Sequence, residues 1–489
     1  RSTPCGTLFP YTTLFRSGRQ FFDDHKVPTY ETPDYGVRAF MQIVRYQHSR
    51  EMLMETPPTI PERFTPDIEA ARAVIQKSLK EGKQWLLEAD AKAVLSAYRI
   101  PVAETHVAAS PREAEAIAAK LGQTVALKIL SPDVIHKTEV GGVCLDLESP
   151  ALVRETASTM AERLIKIQPE ARIKGFTVQP MMRRKNAHEL FIAMMDDTVF
   201  GPVILFGHGG TAIEVIEDKA LALPPLNMHL AREVMERTRV FRLLKGYAGN
   251  PAADIDGIAL TLIKVSQLVC DMAEIAELKI NPLLVDHQGV MVLDARIRVV
   301  GTDKDPSDRL AICPYPKELE EIVRLPEGRS LLLRPIRPED EPAFHALFAT
   351  LSMEEIRLRF LHYMKVLTHQ MAARLTQIDY DRQMALVLTD PPDAEGEPEL
   401  YGVVRVGAEP DFERAEFAIL IRKDMTGMGL GPFMMRRIID YAKSRGLGQV
   451  YGEVLANNRA MLALCKAFGF RVKPEPGDPG VMRVTLNLI

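Results

Sequence analysis

The six residues Thr426-Gly427-Met428-Gly429-Leu430-Gly431 limit what this chain can fold into more than any others. Strand-like residues 415–422 precede them and helix-like residues 432–445 follow. Glycines at such a junction adopt backbone conformations closed to other residues, and they let main-chain N–H groups close around one point. A helix N-terminus at that point adds a dipole that favours negative charge, so the unit suits an anion such as phosphate. In the helix that follows, Met435, Ile438, Ile439 and Ala442 recur at helical spacing, and Gly446 supplies the stop. The end of the chain is therefore committed to a sheet with a helix packed on it.

Downstream stand Asn457-Asn458-Arg459-Ala460-Met461-Leu462 and then Gly469-Phe470. Together with the glycine loop they resemble the GNAT acetyltransferase family, whose coenzyme A pyrophosphate rests on such a loop. The resemblance implies acetyl-CoA as donor, held by Ile421, Gly427, Met428, Gly429, Leu430, Gly431 and Asn458. It also assigns the catalytic glutamate to the strand before the loop, where Glu416 stands among Ala415, Phe417, Ala418 and Ile419. The chemistry agrees, because a lysine amine has a pKa of about 10.4 and needs a base to become a nucleophile near neutral pH. A solvent-facing strand residue is the alternative for Glu416. Thr426 occupies the position where the family has Gln or Arg, and Cys465 the position where many members have a tyrosine that protonates the leaving thiolate. No chemical role is expected of Cys465. One of Asn457 and Asn458 is expected to cap the following helix. Arg422 and Lys423 lie close enough in sequence to meet phosphate, or else form solvated surface.

The middle of the chain carries a second set of motifs. Lys128 ends a strand candidate, residues 125–130, and precedes Ser131-Pro132-Asp133-Val134-Ile135-His136-Lys137 and Gly141-Gly142-Val143. Phe200-Gly201-Pro202, Phe206-Gly207-His208-Gly209-Gly210, Glu277-Leu278-Lys279-Ile280-Asn281-Pro282 and Asp294 follow. In this order they resemble the ATP-grasp domain of nucleoside-diphosphate-forming acyl-CoA synthetases. The resemblance implies that Lys128 contacts ATP, that Gly141 and Gly142 cover it, and that His136 relays phosphate. It implies Mg²⁺ at Asn281 and Asp294, whose hard oxygens suit that ion. Read without the resemblance, His136 is a loop histidine and Asn281-Pro282 a turn.

At 489 residues the chain has room for about three domains. The expected fold is multidomain α/β, an ATP-grasp domain followed by a C-terminal GNAT domain of mixed sheet and flanking helices. The expected divisions are residues 1–17, 18–54, 55–82, 83–301, 302–323 and 324–489. Residues 1–17 show neither period nor caps and resemble translated sequencing-adapter sequence, so they are set aside. Residues 18–54 resemble the tail of a ligase part, which leads us to expect an N-terminally truncated protein. Residues 55–82, opened by Pro57, Pro58, Pro61 and Pro66, and residues 302–323 are expected as linkers. Short strands and helices alternate between them, with a capping box at Ser110-Pro111-Arg112-Glu113 and a helix over 254–273. A formal charge of -4 gives no electrostatic case for nucleic acid or an anionic membrane. No apolar run approaches the roughly 18 residues of a spanning helix. Five scattered cysteines form neither a disulfide framework nor a metal cluster, which suggests a reducing cytoplasm.

A synthetase-like region, a linker and a GNAT unit in this order resemble the large bacterial Pat-type protein lysine acetyltransferases. Arg334-Pro335-Ile336-Arg337-Pro338-Glu339-Asp340 and Ile378-Asp379-Tyr380-Asp381-Arg382 share that look. The likeness implies acetylation of lysines in metabolic enzymes such as acetyl-CoA synthetase, under control of a nucleotide- or acyl-CoA-responsive middle region. Association with further copies of itself is left open. The rival readings are a small-amine acetyltransferase and a ligand-binding regulator derived from an ADP-forming synthetase.

Overall fold

The computed structural model describes residues 20–22, 24–30, 32–54, 64–134, 137, 139–210, 213–247, 249–303, 305–325, 327–391 and 398–488. The chain divides into two compact units, residues 1–55 and 56–489. In the first, helix α1 spans Pro33–Met54. Val37, Phe40, Met41, Val44 and Tyr46, which recur at roughly helical spacing, are all exposed.

The second unit begins with a difference from expectation. Residues 68–80, assigned by proline content to a linker, form helix α2 (Ile68–Lys80). Asp67 caps it by accepting from the Ala70 amide, and Ala71 and Ile75 are fully buried in the core of the middle region. The prolines mark only the approach to this helix. After α3 (Glu88–Ala97) comes a four-stranded antiparallel sheet, β1 (His106–Ala108), β2 (Val125–Leu130), β3 (Val143–Leu147) and β4 (Gly175–Pro180), in the order β1-β4-β2-β3. Helices α4 (Pro111–Leu121) and α5 (Pro150–Ile167) pack on one face of it. Ser110 caps α4 as expected, but Glu113 reaches past it to the Ala109 amide (2.7 Å), so the box closes one residue early.

A larger sheet follows: β5 (His188–Asp197), β6 (Gly201–His208), β7 (Lys219–Ala222), β8 (Ile275–Asp286), β9 (Gly289–Val292) and β10 (Ala295–Val299). Its order is β10-β8-β5-β6-β7, with β9 on β8. Helices α6 (Met228–Glu236) and α7 (Ile255–Asp271) cover it. Asn281-Pro282, which resembles a turn in isolation, lies inside the twelve-residue strand β8. The apolar-looking run 291–295 is the end of β9, a break at Leu293 and Asp294, and the start of β10.

The C-terminal region is an eight-stranded sheet: β11 (Glu321–Arg324), β12 (Ser330–Pro335), β13 (Gln383–Thr389), β14 (Leu400–Ala408), β15 (Arg414–Ile421), β16 (Gln449–Leu455), β17 (Arg471–Glu475) and β18 (Asp478–Asn487). The order is β11-β12-β13-β14-β15-β16-β18-β17, and β15 with β16 is its parallel pair. Helices α8 (Glu341–Ala349), α9 (Met353–Phe360) and α10 (His369–Thr376) cover one face through Phe344, Leu347, Ile356 and Ala372. Helices α11 (Leu430–Ser444) and α12 (Arg459–Ala467) cover the other through Met434, Met435, Ile438 and Cys465. Alternation along the strands makes this two-sided cover possible: Ala385 and Val387 face α8, while Leu386 and Leu388 face α11. Each of the larger buried side chains, from valine upward, contributes roughly 1.5–3 kcal/mol.

The second expected linker is likewise held. Arg309 donates to the Val269, Met272, Ala273 and Ile275 carbonyls at 2.7–3.2 Å, satisfying the free end of α7. Tyr315 is buried in the C-terminal core, edge-on to Tyr380, and β11 starts ahead of the expected boundary at 324.

Candidate functional site

Strands β15 and β16 pair in register at Arg414–Gln449, Ala415–Val450 and Glu416–Tyr451, and then part. Each keeps its outer neighbour, β14 and β18, so the gap opens inside the sheet. A cavity of about 200 Å³ fills this gap. Glu416 and Ala418 from β15, Gly452 and Glu453 from β16, Arg359 from α9, and Asn458 and Met461 from α12 line it. Glu416 is the last paired residue before the strands diverge, which sets its exposed carboxylate at the cavity.

The glycine loop stands at the other end of β15. Gly427 and Gly429 have φ of +84° and +80°, and a Cβ on either would meet nothing within 4 Å. Glycine is thus required there for backbone conformation and not for room. Gly429 is the N-cap of α11, and no side chain among the described residues caps that helix, so its first amides are open. Ile421 packs beside Gly431, whose added Cβ would lie 3.6 Å from the Ile421 side chain. Leu430 is buried and Met428 packs against the core. Arg422 is taken up by Asp424 (2.8 Å) and Glu399 (2.7 Å), and it lies over the Tyr401 ring, so its charge is not free for an anion. Thr426 donates to the Lys423 carbonyl and shapes the turn. Asn458 accepts from the Met461 amide (3.1 Å), capping α12 while lining the cavity. Cys465 is fully buried in the core and does not line the cavity, so it supplies no acid there; burial pushes its thiol up to about 11.

Two cavity residues escape a reading of the sequence. Glu453 sits on a strand as any exposed acid would. Arg359 follows Glu355 by four residues and looks like half of a helical ion pair on a solvated face. In the fold Glu355 instead closes a capping box with Ser352, and Arg359 turns to the cavity.

In the middle region the structure brings Lys128 and Asp294 to 3.9 Å, with Gly142 accepting from the neighbouring Ile129 amide. A Cβ on Gly142 would lie 2.6 Å from Ile129, so the Gly141-Gly142 turn can hug β2 only as glycine. His136 lies outside the described residues. The surprise is Glu88, which sequence reading passed over. Its buried carboxylate accepts from Lys128 (2.8 Å) and Lys137 (2.9 Å) and lies 3.2 Å from Lys92. Burial raises its pKa, but Lys128, Lys137 and Lys92 outweigh this and hold it well below the usual carboxylate range. The lysines move apart: burial lowers Lys92, whereas Asp294 and Glu88 overcome burial and raise Lys128. Asp294 keeps a buried Oδ1 that makes no hydrogen bond among the described residues, with Lys128 Nζ 3.9 Å away, which fits a ligand of a hard cation. Asn281 fits less directly, since its Oδ1 accepts from the Gly210 amide (2.8 Å).

Residues 77–299 match the ATP-grasp domain family, and residues 330–471 match the acetyltransferase (GNAT) domain family. The chain is 34% identical over 234 residues to subunit beta of the ADP-forming acetate–CoA ligase II of Pyrococcus furiosus, covering 47% of this chain and 98% of that one. It is 36% identical over 157 residues to an acetyltransferase of Pseudomonas aeruginosa, covering 32% of this chain and 83% of that one. A third relative is the ADP-forming acetate–CoA ligase I of Archaeoglobus fulgidus, 36% identical over 276 residues, which are 55% of this chain. The chain spans 38% of that ligase's length, and 40% of that of a 4-hydroxybutyrate–CoA ligase of Nitrosopumilus maritimus.

Proposed function

Since the chain belongs to the ATP-grasp family over residues 77–299 and to the GNAT acetyltransferase family over residues 330–471, we propose that it is a protein lysine acetyltransferase. The acceptors are ε-amines in metabolic enzymes such as acetyl-CoA synthetase, and the setting is a bacterial cytoplasm. The observation that carries this reading is Glu416, the last residue of β15 paired with β16, exposed at a cavity between the diverging strands. Bound acetyl-CoA would supply the thioester. The open amides of Gly427 to Gly431 would hold its pyrophosphate, with the α11 dipole adding attraction.

Glu416 takes a proton from the incoming ammonium, and the free amine bonds to the thioester carbonyl carbon. The nitrogen of the resulting adduct releases its second proton to solvent, the C–S bond breaks, and the coenzyme leaves as a thiolate that takes a proton from water. In the middle region, Lys128 and Asp294 would meet nucleotide phosphate and Mg²⁺, with Asn281 joining if it releases Gly210. That region is proposed to tune the transferase, not to make acyl-CoA.

The test is transfer of labelled acetyl from acetyl-CoA to purified acetyl-CoA synthetase, by the parent and by Glu416→Gln. The expected loss in the variant is about 10²–10⁴-fold, with acetyl-CoA binding retained. Binding by both proteins with transfer by neither would replace this reading with that of a ligand-binding regulator.

A further inference from the structure

Near the end of helix α9 stands an arginine with no ion-pair partner among the described residues. Arg359 lines the cavity beside Glu416, with its guanidinium over the Phe360 ring at 4.9 Å from the centroid. Glu355, one turn earlier, is engaged by the Ser352 amide (2.8 Å) and hydroxyl (2.6 Å). Among the described residues no carboxylate comes within the 4.0 Å of an ion pair with Arg359. Burial pushes its guanidinium down to about 10, and the charge of Glu416 offsets this only in part.

A second arginine stands on the same face of the sheet. Arg405 of β14 is the direct partner of Ala418, and Ala418 is two residues from Glu416, so all three share one face. Arg405 donates to the neutral Leu375 carbonyl (2.6 Å). Burial brings it down to about 10 as well, with Arg359 adding repulsion. Two cations thus stand beside the base, on the face covered by α8 to α10.

Withdrawing a cation from water without a partner is costly, and a ligand that brings the missing anion removes that cost. A guanidinium fork matches a carboxylate in two parallel hydrogen bonds. We propose that Arg359 binds a carboxylate of the acceptor, so that the amine presented to Glu416 belongs to a molecule with an acid close to that amine. This rests on the acetyl-transfer reading above and narrows its acceptor class. The acid comes either from a residue beside the target lysine or from the carboxylate of a free amino acid.

Four acceptors test it: two lysine peptides differing only in Asp or Asn next to the lysine, and Nα-acetyl-lysine with its amide. The expected result is a preference in kcat/KM of about tenfold or more for the acidic member of one pair, the size of one charge-assisted hydrogen bond. Preference in the peptide pair assigns the acid to a neighbouring residue, and preference in the free pair assigns it to a small molecule. Arg359→Gln should collapse the ratio, and Arg359→Lys should restore part of it. Equal acetylation within both pairs by the parent overturns the role of Arg359 and leaves lysine transfer standing. Acetylation of none of the four overturns both.

Discussion

Glu88 shows how far a single residue can bind distant parts of a chain. Its three lysines lie 4, 40 and 49 residues away, and two of the three contacts therefore leave no local trace in the sequence. Glu416 was legible because its signal is local: an acid in an apolar strand that runs into a glycine loop. Arg359 was not, since the partner its spacing suggests is spent on a helix cap. Removing the carboxylate alone leaves two buried ammonium groups and a partly buried third without it, so Glu88→Gln is expected to cost about 3–5 kcal/mol at neutral pH. The pKa of Glu88 in the fold lies below its unfolded value of about 4.3, so the network stabilises above that pH and fades as pH falls below it. Trp85, the chain's single tryptophan, lines a cavity with Glu88 and Lys137 and reports the unfolding. The parent should lose stability in acid from this source and the variant should not; parallel pH profiles would refute the assignment.

Among elements, the junction from β15 to α11 was readable and strand β8 was not. The junction declares itself through residue types that only a turn requires. Strand β8 carries Asn281-Pro282 in its interior, and a proline there argues against a strand until the sheet around it is known. Strand β3 is no easier to read, being only five residues long with Asp146 within it. The junction also separates two kinds of glycine. Gly429→Ala must hold an alanine at φ +80°, which costs about 1 kcal/mol, and it reshapes the loop proposed to meet the donor. Gly431 sits inside α11 with only ordinary contacts at 3.6 and 3.8 Å, so Gly431→Ala should keep full thermal stability. Melting curves and acetyl-CoA titrations should show Gly429→Ala lower in Tm and several-fold weaker in binding. Equal behaviour of the two variants would remove the conformational argument.

At the scale of the molecule, the order of the two folded regions was plain from motif order, whereas their edges were not. Composition marks prolines and charge, but it does not reveal a residue such as Arg309 gripping a helix end from within a polar stretch. The proposed nucleotide response of the middle region is testable on the whole chain. Mg-ATP should raise Tm by the linkage between binding and folding, and Lys128→Met should abolish the rise. A rise that survives that substitution would move the nucleotide away from Lys128.

The connector carries a lesson about how such a protein could be assembled from older genes. Arg309 belongs to the core before it and Tyr315 to the core after it, which leaves exposed Ala311 and Ile312 at the crossing. A recombination joint that leaves both halves whole must fall at those few codons. A cut at 302 would strip the first half of the arginine that closes its helix, and a cut at 323 would strip the second of its buried tyrosine and most of an edge strand.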